Sequence, residues 1–267
     1  MNTLTLVSSP APLRTFSGLR AAWPAFISCL IASAPIQAEG KTTEFIGVGA
    51  SAPFDDPGSW SDGIVPDAST DILLASKAQL NILSKDPITV RSIKNISPDT
   101  TCRLYAAVSD LTVSGNIEAS TLFVGKRLIC MGDIEISKPS DLGIVFILDS
   151  MTSKRETALG ANKLSLKNHT GIVFQFAPAD FLKVVGSWNK PLAEFASMEP
   201  LSTTKIIFRT YPANDSPFDF PNGEYPLLKI RSGQKPVFES VHFSQDFSGN
   251  PNGSLEWRDD VLYLVVK

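Results

Sequence analysis

The sequence has few of the residues that build metal centres and nucleophilic sites. Its two histidines are His169 and His242, and neither has a cysteine or a second histidine at the spacing of a zinc site. A G-x-S-x-G nucleophile turn, a phosphate-binding P-loop and a dinucleotide-binding fingerprint are also absent from the sequence. We therefore predict no catalytic, cofactor-binding or metal-binding residues, and we favour a protein that is not an enzyme.

Charged residues are also few, and the positive ones do not cluster. The chain has 24 lysines and arginines against 27 aspartates and glutamates, a formal charge of −3. A mildly acidic chain without a basic patch argues against nucleic acid and anionic membrane surfaces as partners. With 43% hydrophobic residues among 267, the chain has the composition of a globular protein that buries a full core.

The N-terminal segment has the polarity of an export signal. Arg14 and Arg20 are the only charged side chains before Glu39, and an apolar run extends from Ala21 to Ala38. Two prolines interrupt this run, which is too short and kinked for a membrane span of about 20 apolar residues. We predict a cleavable signal peptide over residues 1–38, with a membrane anchor as the alternative, and a protein that is secreted, periplasmic or at the cell surface.

Cleavage is predicted after Ala38. Cleavage after Ala34 would leave Pro35 directly behind the cut, where proline is poorly tolerated. The mature chain then begins at Glu39 and has no membrane span. It loses two of the 24 basic residues and none of the 27 acidic ones, so its formal charge becomes −5.

Two cysteines remain after the predicted cleavage. Cys29 leaves with the signal, so the mature chain keeps Cys102 and Cys130. In an oxidising compartment these two could form a disulfide, and two buried thiols in neighbouring strands are the alternative. Two cysteines cannot staple a chain of this size, so the apolar core must hold it together.

Short apolar runs dominate the rest of the chain and predict an all-β fold. Each run is strand-length, many alternate or are rich in Val, Ile, Leu and Phe, and Gly, Asn, Asp, Ser or Pro ends each one. Helical periodicity allows a turn or two only at Pro178–Val185 and Pro191–Met198. The predicted strands include Asp71–Ala75, Ala78–Leu83, Ile88–Ile93, Arg103–Ala107, Leu111–Val113, Leu128–Met131, Gly143–Leu148, Lys163–Leu166, Gly171–Phe176, Lys205–Thr210, Tyr225–Ile230, Val237–Phe243 and Val261–Val266.

A repeat within these runs predicts how the strands are arranged. The pattern L-x-x-x-G-[N/D]-I-E occurs at Leu111–Glu118 and returns 17 residues later at Leu128–Glu135. A looser echo links Gly143–Leu148 to Gly171–Phe176. Coils that each turn at a glycine corner and stack on the next bury a continuous core. We predict a right-handed parallel β-solenoid in which Leu111 lies beside Leu128, with an antiparallel β-sandwich of two similar hairpins as the alternative.

Motifs at the two ends of the mature chain resemble a known group of proteins. Ser59–Leu74 carries W-x-x-G-x-x-P followed by an aspartate and a hydrophobic run, and the C-terminal motifs are Tyr225–Ile230, Gly253–Trp257 and Leu262–Val266. Together they resemble exported bacterial β-helical surface proteins of the autotransporter-passenger type, which are rich in strand repeats. The resemblance implies a single solenoid-like domain over residues 39–267, with a capping segment over about 39–70, that serves as a non-enzymatic structural or adhesive surface module.

The alternative function is binding or degradation of polysaccharide on the same scaffold. Glu118 and Glu135 occupy equivalent positions in the repeat and would stack about 5 Å apart, as a catalytic carboxylate pair or as an exposed ladder of solubilising charges. We favour the ladder. Partners expected for either function are an extracellular polysaccharide or a surface protein.

Two further groups near the N-terminus of the mature chain have a functional and a structural interpretation. Trp60 is expected to cap the open end of the solenoid, and a sugar-stacking platform is the alternative. A group of five aspartates could hold Ca²⁺, although its spacing matches no EF-hand and a solvated loop is favoured. These aspartates are Asp55, Asp56, Asp62, Asp67 and Asp71.

Overall fold

Short β-strands are the main secondary structure of the residues that the structure describes. The computed structural model describes residues 40–47, 52–75, 77–84, 86–97, 102–106, 108–149, 157–167, 169–199, 203–211, 217–249 and 251–267. The predicted signal peptide lies outside these residues. No helix in the described ranges is long and apolar enough to cross a membrane.

The first twelve strands are short and follow one another closely. They are β1 (Lys41–Phe45), β2 (Thr70–Leu74), β3 (Gln79–Asn81), β4 (Ile88–Val90), β5 (Ser92–Asn95), β6 (Arg103–Ala106), β7 (Leu111–Val113), β8 (Ile117–Ala119), β9 (Thr121–Val124), β10 (Leu128–Cys130), β11 (Ile134–Ile136) and β12 (Ile144–Leu148).

The C-terminal half has longer strands and the one α-helix of the described residues. Its elements are β13 (Leu159–Leu166), β14 (Gly171–Phe176), α1 (Phe181–Ser187), β15 (Ala193–Met198), β16 (Lys205–Thr210), β17 (Gly223–Ile230), β18 (Ser240–Phe243), β19 (Gly253–Arg258) and β20 (Val261–Val266).

The strands form two sheets. The large sheet has thirteen strands in the order β1-β2-β5-β8-β11-β13-β15-β17-β20-β19, with the row β4-β7-β10 also joining β13. The small sheet has seven, in the order β18-β16-β14-β12-β9-β6-β3. Up to β12, two consecutive strands join the large sheet, the next strand joins the small sheet, and this order then repeats. Among the paired strands, only β17–β20 and β19–β20 are antiparallel, and the others are parallel.

The register predicted from the 17-residue repeat is confirmed. Leu128 pairs with Leu111 and Ile134 pairs with Ile117, both in parallel strands of the large sheet. The two glycine corners also align, because the Gly132 N–H donates to the Gly115 carbonyl at 3.0 Å. At the adjacent position the Asp133 N–H donates to Asn116 Oδ1 at 2.9 Å. The corners are therefore hydrogen-bonded to one another as well as stacked.

The two segments of the looser sequence repeat, Gly143–Leu148 and Gly171–Phe176, also form paired strands. Phe146 of β12 pairs with Phe174 of β14, which in turn pairs with Phe208 of β16 and through it with Phe243 of β18. The successive rings are stacked with centroids 5.1 to 5.2 Å apart. In-register aromatic pairs of this kind stabilise a sheet beyond the area they bury.

The main core contains buried residues from both sheets. Ile93, Ile117, Ile134 and Leu164 form one buried row across the large sheet, and the stacked phenylalanines belong to the same cluster. Burying each such side chain contributes roughly 1.5 to 3 kcal/mol. A second, smaller cluster of Phe123, Val145 and Val173 lies on the opposite face of the small sheet.

The sequence spacing between register partners is not constant along the chain. Leu128 follows its partner Leu111 by 17 residues, but Leu159, the next partner in the row, lies 31 residues further on. The additional residues lie in the connections: only Ser120 separates β8 from β9, whereas seven residues, Ser137–Gly143, separate β11 from β12. The sequence repeat is therefore visible only where the connections are shortest.

The strand and helix predictions need two corrections. The run Ile88–Ile93 forms two strands, β4 and β5, separated by Arg91. The helical interpretation of Pro191–Met198 is wrong, because Ala193–Met198 is strand β15. Its residues Ala193 and Phe195 pair on both sides with neighbouring parallel strands, so tertiary pairing overrides the local preference. The helical turn predicted at Pro178–Val185 is confirmed by α1 and the 3₁₀ turn before it.

Candidate functional site

Glu118 and Glu135 lie side by side on the large sheet, as the repeat predicted. They are register partners in the parallel strands β8 and β11, which lie about 4.8 Å apart. Their neighbours along each strand are buried, so alternation turns both carboxylates to the outer face. Both side chains are only half-buried. The geometry is that of a carboxylate ladder open to solvent.

Two lysines from β13 and the residues after it join this ladder. The Lys167 ammonium binds the Glu135 carboxylate at 2.9 Å, and Lys163 forms an ion pair with Glu199. Together these charges line a groove of about 380 Å³. The residues lining the groove include four carboxylates but no aromatic side chain that could stack on a sugar ring.

The environments of the two glutamates differ. Partial burial raises the pKa of Glu118, and the neighbouring charge of Glu135 raises it further. The hydrogen bond from Lys167 to Glu135 raises the pKa of the lysine. The Glu135 carboxylate is thus occupied by its ion pair with Lys167. The pair therefore has one element of general acid–base chemistry, an elevated carboxyl pKa, and lacks a free second carboxylate.

Trp60 is buried with only 2% of its surface exposed, so it cannot serve as a sugar-stacking platform. Its ring packs edge-on against Phe45 and Phe54, and its indole N–H donates to the Phe54 carbonyl at 2.8 Å. Its backbone forms an antiparallel bridge with Phe45 in β1, the first strand in the large sheet's order. This position agrees with the capping role.

Most of the five aspartates bind turns or neighbouring cations. Asp67 Oδ1 accepts hydrogen bonds from the Ser69 hydroxyl at 2.6 Å, the Ser69 N–H at 2.9 Å and the Thr70 hydroxyl at 3.0 Å, which lower its pKa to about 2. Asp71 pairs with Arg91, whose hydrogen bond lowers the pKa of the carboxyl. Asp56 accepts from the Gly58 N–H, and Asp62 from Thr43. Across the described ranges, no three acidic, cysteine or histidine side chains converge to hold a metal ion, so the calcium alternative gains no support.

The cysteines are thiols and do not form a disulfide. Cys102 and Cys130 are both buried. The Cys130 thiol lies 3.1 Å from the Gly115 carbonyl oxygen at the glycine corner, and burial raises its pKa to about 11. The Cys102 thiol lies 3.0 Å from the Ala75 carbonyl oxygen. Of the two alternatives left open by the sequence, the structure has the buried thiols. They do not lie in neighbouring strands, because Cys130 is in β10 of the large sheet and Cys102 precedes β6 of the small sheet.

Sequence reasoning missed a second groove on the large sheet. Gly160 of β13 sits between Ile129 of β10 and Glu194 of β15, and it has no side chain to fill this outward position. The resulting groove of about 450 Å³ is bordered by Arg127 and by Arg231, which binds Glu194 at 2.6 Å. A glycine inside an eight-residue strand was the only signal in the sequence, and it could not be interpreted without knowing its strand neighbours.

Comparison with known proteins places the chain in no group. No family model, no curated protein and no solved structure matches it.

Proposed function

We propose that this chain is an exported, non-enzymatic structural or adhesive surface module built as a right-handed parallel β-solenoid. The solenoid is supported by the parallel pairing and by the recurrence of large-sheet and small-sheet strands along the chain. An antiparallel β-sandwich would need hairpin pairing between consecutive strands, which here is limited to β19–β20.

The functional proposal rests on the hydrogen bonds and ion pairs that the polar side chains on the large sheet form. They bind one another between successive strands, as in the corner bonds from Asn162 to Asp133 and the pairs Arg91–Asp71 and Lys167–Glu135. Groups held in this way reinforce the stack, whereas a catalytic site needs groups that face a substrate. The array therefore has the features of a scaffold, with an extracellular polysaccharide or a surface protein as the expected partner.

A screen for polysaccharide cleavage tests the non-enzymatic function. Residues 39–267 would be incubated with neutral and acidic polysaccharides, and reducing-end release and unsaturated products would be measured. We expect no turnover. Turnover that the double variant Glu118→Gln, Glu135→Gln abolishes while remaining folded would overturn the proposal.

A polysaccharide-binding or polysaccharide-degrading protein is the second candidate, and the groove beside Glu118 and Glu135 is the observation that favours it. Affinity electrophoresis in gels with and without each polysaccharide measures binding, whereas the screen above measures cleavage. Together the two experiments distinguish a binding protein from a degrading one. Retardation without turnover would support an adhesive module, and loss of retardation in Lys163→Ala would place the bound polysaccharide in this groove.

Export is part of the proposal and has its own test. We propose that residues 1–38 are a cleaved signal peptide and that residues 39–267, with a cap over about 39–70, are the mature domain. Residues Glu39–Lys267 form one compact unit, which fits this division. The intact mass of protein recovered from the periplasm or medium of a bacterial host should correspond to a chain starting within a few residues of Glu39. Retention of Met1 on exported protein would contradict it.

A further inference from the structure

One segment, residues 52–61, flanks β1 of the large sheet and β3 of the small sheet. On the large sheet, the Ile46 N–H donates to the Ser59 carbonyl and the Ser61 N–H to the Glu44 carbonyl, each at 2.9 Å. On the small sheet, Pro53 forms a parallel bridge with Asn81 of β3. The main chain at this end is therefore already paired and offers little to another strand.

The C-terminal edge of the large sheet is different. It ends in the hairpin β19–β20, whose two turn residues are Asp259 and Asp260. Arg258 closes this hairpin opposite Val261, and the Lys267 N–H donates to the Asn252 carbonyl at 3.2 Å. Hydrogen-bonded pairs alternate along an antiparallel ladder, so the even-numbered residues of β19 bond to β20. The N–H and C=O groups of Gly253, Leu255 and Trp257 consequently point away from the sheet.

The side chains of β19 leave this edge open. Leu255 and Trp257 are half-buried against the core, with the Trp257 indole N–H donating to the Pro236 carbonyl at 3.1 Å. Glu256 and Arg258 project from the opposite face. There, Arg258 binds Glu256 at 3.1 Å as well as the carboxylate of Glu224. These charges are held over the face of the sheet and do not shield the exposed main chain.

We propose that β19 pairs antiparallel with β19 of a second copy of this chain, about a two-fold axis at Leu255. Two antiparallel registers bring the outward-pointing main-chain groups of the two copies together over five residues of β19. One register is centred on Leu255 and the other on Glu256. The second places Glu256 opposite Glu256 of the partner, and like charges directly opposite destabilise a strand pair. The first places Ser254 opposite Glu256 and brings no like charges together.

The favoured register also fits the side chains on the inner face. It places Trp257 of the second copy opposite Gly253, where the Phe243 ring already covers the glycine, so the indole would meet Phe243. Leu255 meets Leu255 and covers apolar surface that is partly exposed in the single chain. The contact is small, so the dimer is expected to dissociate in the micromolar range. The proposal is independent of export and of polysaccharide binding.

Substitutions at Ser254, an exposed position of β19, test both the pairing edge and its register. Ser254→Lys should strengthen the dimer because the lysine faces Glu256 of the partner, and Ser254→Glu should weaken it because two carboxylates then face each other. Thr89→Lys and Thr89→Glu, at an exposed position of β4, are the matched controls. Sedimentation velocity of residues 39–267 across a concentration series gives the dissociation constant, and thermal melting checks that each variant is folded.

We expect the dissociation constants of the two Ser254 variants to differ at least tenfold, in opposite directions from the wild type, while the Thr89 variants match the wild type. A chain that remains monomeric at all concentrations would refute the proposal. Ser254 variants that shift the equilibrium in the same direction would refute it as well, because that result is incompatible with Ser254 facing Glu256.

Discussion

Glu118 and Glu135 are register partners on neighbouring parallel strands, but the Lys167 ammonium binds only the second of them within hydrogen-bond distance. Replacing each by glutamine should therefore have different effects. Glu118→Gln should leave the free energy of unfolding at pH 7 unchanged or raise it by up to about 0.5 kcal/mol, because it removes a carboxylate repulsion. Glu135→Gln should lower it by about the same amount through loss of the ion pair. Urea denaturation of both variants measures the two effects.

The pH dependence of the same experiment checks the cause. A carboxyl whose pKa is raised on folding contributes stability at pH values below its unfolded pKa, and this contribution is lost as the pH rises through the folded pKa. For Glu118 the wild type should lose stability relative to Glu118→Gln as the pH rises above about 4. A constant difference between pH 3 and pH 7 would contradict this assignment.

Gly171 should not tolerate a side chain. A Cβ at this position would lie 2.1 Å from the Asp141 carbonyl oxygen, and the clash is with backbone that cannot rotate away. We expect Gly171→Ala to destabilise the protein by about 1 to 3 kcal/mol. Gly186→Ala is the control, since Gly186 lies in α1 with open space around it, and it should be stabilising by about 0.5 to 1 kcal/mol. Equal thermal midpoints for the two variants would contradict the packing described here.

The turn at Asp67 should be sensitive to acid. Its folded pKa of about 2 lies below the ordinary value of 3.8. The hydrogen bonds to its carboxylate therefore stabilise the fold above about pH 4, and this contribution is lost as the pH falls towards 2. Asp67→Asn should therefore be less stable than the wild type at pH 5 and no different at pH 2. Thermal melts at both pH values test this, with Asp55→Asn, an exposed neighbour, as the control.

Cys102 and Cys130 should be unreactive until the protein unfolds. Burial of Cys102 and Cys130, with the raised pKa of the latter, predicts negligible labelling by a thiol reagent at pH 8 under native conditions. In denaturant, both thiols of a chain of residues 39–267 should react. Fewer than two reactive thiols would contradict the assignment of Cys102 and Cys130 as free thiols.

The sequence was most informative where connections are short. From Leu111 to Glu135 the repeat predicted strand pairs, corners and the Glu118–Glu135 juxtaposition, because equal spacing keeps residues in register. Lys163, Lys167 and Glu199 could not be assigned to this site, because they lie outside the 17-residue repeat. Strand β15 was mistaken for a helical turn because its pairing partners lie more than 30 residues away, where no local pattern can indicate them.

Because the connections absorb the variation in spacing between paired strands, the strands and the loops of this molecule are under separate constraints. Extra residues between β11 and β12 leave the pairing of Ile144 with Leu122 intact. A foreign peptide introduced into that connection would therefore be displayed at the side of the stack without disturbing its register. The connection between β11 and β12 is in this sense a position for grafting a peptide beside strands whose register is fixed.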